Sequence, residues 1–373
     1  MSLLSASLVA VLVFGLFTQD SSGSAMTFSP RDMQHNMFFV AIFSLIMVSL
    51  AFAVVHDFRH FSWKKLPVGF IHLSMFILIS ASIFGGSEKE KVEVNLAVNS
   101  PVMHPQLPFS LELQSVEEQD YPRGAVSSVL IVADESGSKQ FLTEVNHPAY
   151  HQGWYLYQIN YDSQTGSSGI DVIKDRFYLF ACFALWTMLL AAAAFLFLSL
   201  FQNKTKFPKG PVSIFSAIYI AFICVNFIAP NFFNADRVAV LHSPWFTPHI
   251  VAYMAAYSLL GVALICAIFL KDNKIERCDL LVKMGYAFMT MGICMGALWA
   301  KVAWGDYWSW DPKETWAFAT MLAFALYIHL RHYYPHKHKL ALVLLAVAFI
   351  LLNICWWGIN YLPSAQGASI HLY

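Results

Sequence analysis

Long apolar runs constrain this chain more than any other feature of its sequence. A helix needs about 20 apolar residues to cross the roughly 30 Å of hydrocarbon in a bilayer. The chain is 58% hydrophobic and only 12% charged, which is outside the range of soluble globular proteins. The sequence therefore predicts an α-helical polytopic membrane protein with about nine transmembrane helices. They lie at residues 3–18, 37–55, 66–86, 177–201, 211–229, 249–270, 280–298, 312–330 and 340–357.

The first run, residues 3–18, is short and has no basic residue beside it. Secretory signals also contain a short apolar core, so this run is either a retained span or a signal-like segment. The positions of the later spans do not depend on that choice.

The connecting loops differ in charge, and this difference predicts the orientation. Four loops each carry three or four Lys or Arg residues: 56–65, 202–209, 271–283 and 331–339. Basic loops remain on the cytoplasmic side, so the alternate segments should lie outside. Those segments are 87–175, 231–248, 299–311 and the tail 358–373. The formal net charge is zero, which argues against nucleic acid as a partner.

Residues 87–175 have the composition of a soluble domain. Stretches such as VEVNLAV and VSSVLIVA alternate apolar and polar residues with period two, which is typical of strands. We therefore predict a small β-rich extracytoplasmic domain inserted between spans. The predicted organisation has four parts: spans in 1–86, the β-rich domain in 87–175, a span and basic loop in 176–210, and a transmembrane domain in 211–373.

Residues 304–318 read WGDYWSWDPKETWAF and contain four tryptophans. We call them the tryptophan segment. Asp311, Pro312 and Glu314 have the spacing of a helix N-cap, a first helical residue and a capping box. A helix should therefore begin at Pro312, with Trp304, Trp308 and Trp310 just before it on the outer surface.

Tryptophans near a span end are also typical of an aromatic belt at the membrane interface. A belt alone does not require the polar residues between them, which are Gly305, Asp306, Asp311 and Lys313. Flat aromatic rings beside polar groups suit a large planar apolar ligand with a few charges, such as a porphyrin. Both interpretations remain open at this point.

Four of the fourteen histidines lie at span ends. His72 and His329 are near the predicted cytoplasmic side, whereas His249 and His371 are on the outer side. A histidine in a span is often a hydrogen-bonded structural group, but ionisable residues at that depth also mark function. Because paired neutral imidazoles bind six-coordinate haem iron, this arrangement predicts one iron site at each face.

Two other functions fit the histidine pattern. A cytochrome b-like electron carrier would hold two haems permanently, and a haem exporter or chaperone would deliver haem without joining it to anything. The tryptophan segment favours haem presentation, because a carrier would bury the ring between helices.

The run GALWAKVAWGDYWSWDPKETWAFATMLAFALYIHLR resembles the tryptophan-rich signature of the cytochrome c assembly family, the haem-handling proteins of the CcsA type. The segments HSPWFTPHIVAYMAAYSLL and GINYLPSAQGASIHLY are similar to its flanking histidine segments. This resemblance covers about residues 210–373. More weakly, FIHLSMFILISASIFGG and EVNHPAYHQGWYLYQINYD resemble the CcsB or ResB partner, so the whole chain looks like a compact fused system II cytochrome c synthase.

The resemblance implies a holocytochrome c synthase that moves haem b across the bacterial cytoplasmic membrane and attaches it outside to the CxxCH motif of apocytochrome c. It implies that His72 and His329 receive haem inside, with His332 as an alternative to His329. It also implies that His249 and His371 hold the iron outside and favour its reduced state. Trp304, Trp308, Trp310 and Trp316 would line the ring, Asp306 or Lys313 would meet the propionates or the peptide, and a thioredoxin-like protein would reduce the thiols.

Overall fold

The computed structural model describes residues 2–17, 37–85, 89–118, 126–202, 239–271 and 273–361, together with several residues between 217 and 229. His371 and most of the predicted span 211–229 lie outside the described residues.

The numbered helices are α1 (Ser2–Phe17), α2 (Met37–Arg59), α3 (Leu66–Gly85), α4 (Tyr178–Gln202), α5 (Phe246–Phe269), α6 (Lys274–Trp304), α7 (Pro312–Tyr333) and α8 (His338–Asn353). A short 3-10 turn, Ala239–Leu241, precedes α5, and a π-helical turn, Ile354–Gly358, follows α8. The eight α-helices are mostly apolar, so they bury their side chains against one another as a bundle.

In the described part of the chain, six helices are long and apolar enough to cross a membrane, as expected for a polytopic membrane protein. These are Val40–Arg59, Leu66–Phe84, Tyr178–Leu200, Phe246–Phe269, Lys274–Trp304 and His338–Gly358. The predicted count of nine is not confirmed. Helix α1 contributes only the shorter apolar stretch Leu3–Val13, and the more polar α7 is largely buried inside the bundle.

The β-rich prediction for residues 87–175 is confirmed. The strands are β1 (Glu90–Ala97), β2 (Val102–Met103), β3 (Ser110–Glu118), β4 (Val126–Asp134), β5 (Gly137–Glu144), β6 (Ala149–His151), β7 (Trp154–Asp162) and β8 (Ser167–Lys174). They form two antiparallel sheets with strand orders β1-β8-β7-β6 and β2-β3-β4-β5. Alternate residues of both sheets, such as Leu96, Leu113, Leu130 and Val172, share one apolar core.

The predicted start of α7 is confirmed in detail. The Asp311 carboxylate accepts a hydrogen bond from the Lys313 backbone N–H at 2.8 Å, and the Glu314 carboxylate accepts one from the Asp311 N–H at 3.2 Å. Together they form the predicted capping box around Pro312. This cap fixes where the loop between α6 and α7 ends.

Helix α6 ends at Trp304, several residues beyond the predicted end of its span, and Gly305 is its C-cap. Gly305 has φ +81°, and its N–H donates to the Lys301 carbonyl at 3.0 Å. A residue with a side chain would be strained there, because this backbone conformation favours glycine.

The β-rich domain docks directly on the end of the bundle that carries Gly305. A Cβ atom at Gly305 would lie 2.5 Å from Ile173 Cδ1. The buried Lys301 donates to the Asp175 carboxylate at 3.0 Å, which ties α6 to the connection between β8 and α4. Asn146 donates to the backbone carbonyl of Val240 at 3.1 Å. The β-rich domain therefore contacts the start of the tryptophan segment.

Candidate functional site

Two of the predicted iron ligands lie beside each other. His72 is in the first turns of α3, and His329 is in the last turns of α7. Their ring centroids are 6.3 Å apart, and their planes are tilted by 44°. Both rings are half-buried. We call this region the histidine end of the bundle.

Hydrogen bonds set the chemical state of both rings. His72 Nδ1 lies 2.8 Å from Asp57 Oδ2, and His329 Nδ1 lies 2.8 Å from the Ala325 carbonyl oxygen. Both partners are acceptors, so Nδ1 of each ring is the donor. In the neutral imidazole, Nε2 then keeps its lone pair. This is the arrangement that metal-binding histidines use.

The ring spacing fits a shared metal. Metal–imidazole bonds are about 2 Å long, so two rings on opposite sides of one iron have centres roughly 6 Å apart. His332, the predicted alternative to His329, is exposed and packs edge-on against Tyr333 with ring centroids 4.8 Å apart. The geometry therefore favours His329 over His332.

A large cavity lies at the opposite end of the bundle, which we call the tryptophan end. Its volume is about 770 Å³, within the range of small-molecule sites. His329 follows Pro312 by 17 residues on α7, so the two ends are about 25 Å apart at 1.5 Å per residue. The cavity is lined by residues of α2, α3, α4, α6 and α7, by the tryptophan segment and by the β-rich domain.

The tryptophans occupy different positions, which corrects the predicted surface platform. Trp304, Trp308 and Trp310 line the cavity. Trp304 is the last residue of α6, and Trp310 is 5% exposed, so it does not lie on the outer surface. Trp316 is 3% exposed, belongs to the bundle core and is absent from the cavity wall.

Trp310 has a strained backbone conformation. Its φ is +57°, a conformation that is uncommon for a bulky residue and costs of order 1–3 kcal/mol. The ring packs edge-on against Phe43 of α2, with centroids 5.7 Å apart, and against Trp308 at 5.9 Å. Phe318 completes this aromatic cluster. Such strain persists where the surrounding packing fixes the residue, as it does here.

One indole group in the cavity wall fits a polar ligand. The Trp308 Nε1–H is buried and has no acceptor among the described residues. Buried donors are nearly always paired, so this N–H suits a ligand with an oxygen acceptor. The apolar walls from α3 and α7, which include Met75, Ile79 and Met321, suit the body of a porphyrin.

Charged groups gather at the side of the cavity that faces the β-rich domain. Lys89 pairs with Asp306, and Lys91 pairs with Asp171 at 2.7 Å. Burial disfavours the Lys91 ammonium, but the hydrogen bond and charge of Asp171, together with those of Glu93, outweigh it and raise the pKa of Lys91. Asp306 therefore has a partner within the protein, whereas Gly305 and Asp311 serve as helix caps.

His249 lies near the tryptophan end but is not among the residues that line the cavity. Its Nδ1 is 2.8 Å from the Gly292 carbonyl oxygen on α6. A Cβ atom at Gly296 would lie 2.7 Å from His249 Cε1, so glycine makes room for the ring. Trp299 lies between His249 and the cavity wall, with its ring centroid 6.3 Å from His249 and 5.0 Å from Trp304. The structure does not test the proposed pairing of His249 with His371.

The sequence profile of the family described as cytochrome C assembly protein matches residues 177–365, which is half of the chain. The chain belongs to the cytochrome c assembly protein family. The match includes His249, the tryptophan segment and His329, so the predicted CcsA-type resemblance is confirmed. His72, Asp57 and the β-rich domain precede it, and the ResB-like origin of that part stays a prediction.

The chain is also similar to individual proteins named as cytochrome c biogenesis proteins. The chain is 36% identical over 149 residues to the cytochrome c biogenesis protein CcsA of Hordeum vulgare, a match covering 38% of this chain and 45% of that protein. The corresponding protein of Chlamydomonas reinhardtii is 35% identical over 153 residues, covering 36% and 42%. That of Atropa belladonna is 30% identical over 209 residues, covering 44% and 65%. The chain thus spans less than two thirds of each of these relatives.

Several residues at the site of this cytochrome c assembly protein escaped sequence reasoning. Asp57 lies in the stretch HDFRHFSWKK, which the sequence predicted to be a basic loop, but the structure places it in the last turn of α2. Phe43 and Lys89 reach the cavity from distant parts of the chain. Trp299 could have been noticed, because it lies in the same tryptophan-rich run, GALWAKVAW.

Proposed function

We propose that this chain takes up haem b at the histidine end, carries it across the membrane and joins it to the CxxCH motif of an apocytochrome c at the tryptophan end. The pairing of His72 with His329 carries the proposal. These rings come from two parts of the chain that are far apart in sequence, and both keep Nε2 available. Family membership supports cytochrome c assembly as the process.

The lining of the cavity supports a route between the two ends. Met75 and Ile79 follow His72 on α3, and Ile79 is two helical turns from it on nearly the same face. Phe318 precedes His329 on α7 by 11 residues, three turns, and also lines the cavity. A planar apolar substrate leaving the histidine pair would meet these side chains, and the Phe43, Trp308, Trp310 and Phe318 cluster would then receive it.

The attachment reaction needs position more than it needs a protein nucleophile. Each of two thiols adds across one vinyl group of haem, so an S–H bond breaks, an S–C bond forms and the proton ends on the vinyl carbon. No net oxidation occurs, but both thiols must be reduced beforehand, which is the role of a thioredoxin-like partner. Holding the two reactants together removes much of the entropic barrier. Trp304, Trp308 and Trp310 would orient the ring.

His249 and His371 are the proposed iron ligands at the tryptophan end. Use of His249 requires its ring to leave the Gly292 carbonyl or to bind through Nε2, while Trp299 and Trp304 connect its position to the cavity. The histidine of the CxxCH peptide would then replace one of the two ligands. The proposed setting is a bacterial cytoplasmic membrane with the tryptophan end facing outward.

A co-expression experiment tests the function. The chain is produced with a CxxCH apocytochrome in a bacterium that lacks its own maturation proteins, and covalent haem is read on a denaturing gel. We expect covalent haem on the cytochrome. His249→Ala should abolish attachment, whereas His336→Ala should not, because His336 is exposed in the loop between α7 and α8.

Other outcomes would identify another function. Haem that purifies with the membrane protein while the apocytochrome stays empty would indicate an exporter or a cytochrome b-like electron carrier. Equal attachment by the His249→Ala and His336→Ala variants would refute the assignment of His249.

A further inference from the structure

We propose that Asp57 positions and strengthens His72 as an axial ligand of haem iron, and that it makes His72 the tighter-binding member of the histidine pair. The inference rests on the proposed function, because it assumes that haem binds between His72 and His329. Asp57 itself does not contact the iron in this proposal. It acts through the imidazole of His72.

The contact between Asp57 and His72 depends on the close packing of α2 and α3. Asp57 lies in the last turn of α2, and His72 lies in the second turn of α3. A Cβ atom at Gly69 would lie 3.5 Å from Asp57 Cβ, an ordinary contact that shows how near the two helices come. The Oδ2–Nδ1 distance of 2.8 Å is that of a full hydrogen bond.

The Asp57 carboxylate is committed to His72. Its side chain is 18% exposed, and its only other described polar contact is a long one, from Oδ1 to His56 Nδ1 at 3.5 Å. His56 is 65% exposed and therefore adds little. A mostly buried carboxylate with one strong partner is the kind of group that orients a metal-binding histidine.

The two rings of the pair have acceptors of different charge. His72 Nδ1–H donates to a carboxylate, whereas His329 Nδ1–H donates to the neutral Ala325 carbonyl. A hydrogen bond to an anion is stronger and leaves more electron density on the imidazole nitrogen that binds the metal. His72 should therefore donate more electron density to iron than His329 does.

This asymmetry has a consequence for transfer. The weaker ligand dissociates first, so iron should leave His329 before it leaves His72. His329 lies on α7, which also carries Phe318 and the cap of the tryptophan segment. Release from α7 therefore precedes movement along it, while Asp57 keeps the iron on α3.

A purely structural role is the alternative, in which Asp57 only ties α2 to α3. Asp57→Asn separates the two ideas, because it keeps the size and an acceptor oxygen but removes the charge. His56→Gln is the matched control, since it changes only the neighbouring weak contact and leaves the Asp57–His72 bond in place.

The experiment uses full-length protein purified from haem-replete cells. The haem component of the histidine end is defined as the part of the absorbance that the double variant His72→Ala/His329→Ala removes. For that component we measure the midpoint potential, and we measure its loss to apomyoglobin as a haem acceptor. Asp57→Asn should raise the potential and weaken haem retention by about 10- to 100-fold. Asp57→Glu should restore part of both, and His56→Gln should match wild type.

The ordering is tested with the two alanine variants. His329→Ala should retain more haem at this end than His72→Ala, because the stronger ligand remains. Equal retention, the opposite order, or an Asp57→Asn protein with the wild-type potential and retention would overturn the inference. If the double variant His72→Ala/His329→Ala absorbs as wild type does, the haem site of the proposed function is itself wrong, which is a separate result.

Discussion

The two ends of helix α7 are built differently. At the histidine end, two half-buried imidazoles from distant parts of the chain meet, and each uses Nδ1 for a hydrogen bond and keeps the Nε2 lone pair available. At the tryptophan end, a cavity of about 770 Å³ is lined by indoles, by several helices and by the β-rich domain, but His249 is not among the residues that line it. The histidine end therefore provides ligand atoms, and the tryptophan end provides a cavity. This division suits a chain that captures a substrate at one end and presents it at the other.

The strongest test of the difference is to remove one ring at the histidine end. His329→Ala should remove most of the haem bound there, because the iron loses an axial ligand. His332→Ala should have no measurable effect, since His332 is exposed and packs against Tyr333. Absorbance of the purified variants measures both. Loss of haem from His332→Ala with retention in His329→Ala would reverse the assignment.

Gly296 offers a way to disturb the tryptophan end alone. Gly296→Ala would place a Cβ atom 2.7 Å from His249 Cε1, so the ring must move. Covalent attachment to apocytochrome should fall at least about tenfold, since a displacement near 1 Å can cost far more than that. Haem at the histidine end should remain. The control is Gly261→Ala, whose Cβ would make an ordinary 3.4 Å contact with Phe349. Unchanged attachment in Gly296→Ala would argue against His249 as a ligand.

Weakening the contact between the β-rich domain and the helical bundle should change the protein less than the two substitutions above. Gly305→Ala is strained by its φ of +81° and by a 2.5 Å approach to Ile173 Cδ1. Overpacking of this kind typically costs about 1–3 kcal/mol. We expect faster proteolysis between the β-rich domain and α4, with haem retention at the histidine end unchanged. A protease-resistance profile equal to that of wild type would show that the contact does not hold the domain in place.

The smallest expected effect is a change in the pH dependence of stability, and it concerns Lys91 at the cavity. The raised pKa of Lys91 means that folding favours its charged form, so its stabilising contribution is complete below the ordinary value of 10.5 and is lost as pH rises through the higher folded value. The melting temperature of the β-rich domain should therefore fall in this alkaline range. Lys91→Met should flatten that dependence, whereas Lys139→Met on an exposed strand position should not. A Lys91→Met curve parallel to wild type would contradict the role given to its pair with Asp171.

Predictions from the sequence succeeded where the signal is local. The alternation in residues 90–174 marks strands, and the spacing of Asp311, Pro312 and Glu314 marks the start of α7 to the residue. They were less successful for the tryptophans. Four indoles in one segment indicated a single flat platform, but Trp310 is buried against Phe43, and Trp316 packs in the bundle core. A run of residues does not reveal which rings other helices will cover.

Apolar runs, period-two alternation and cap spacing are encoded by neighbouring residues, because hydrogen bonding within helices and between consecutive strands depends on side chains a few positions apart. Tertiary packing alone brings Lys89 to Asp306, 217 residues away, and sets His72 between Asp57 and His329. Such contacts form only after each helix has buried its apolar face against others. The identity of the histidines could thus be suspected from their positions at span ends, but the partner that tunes each ring is decided by how the helices pack.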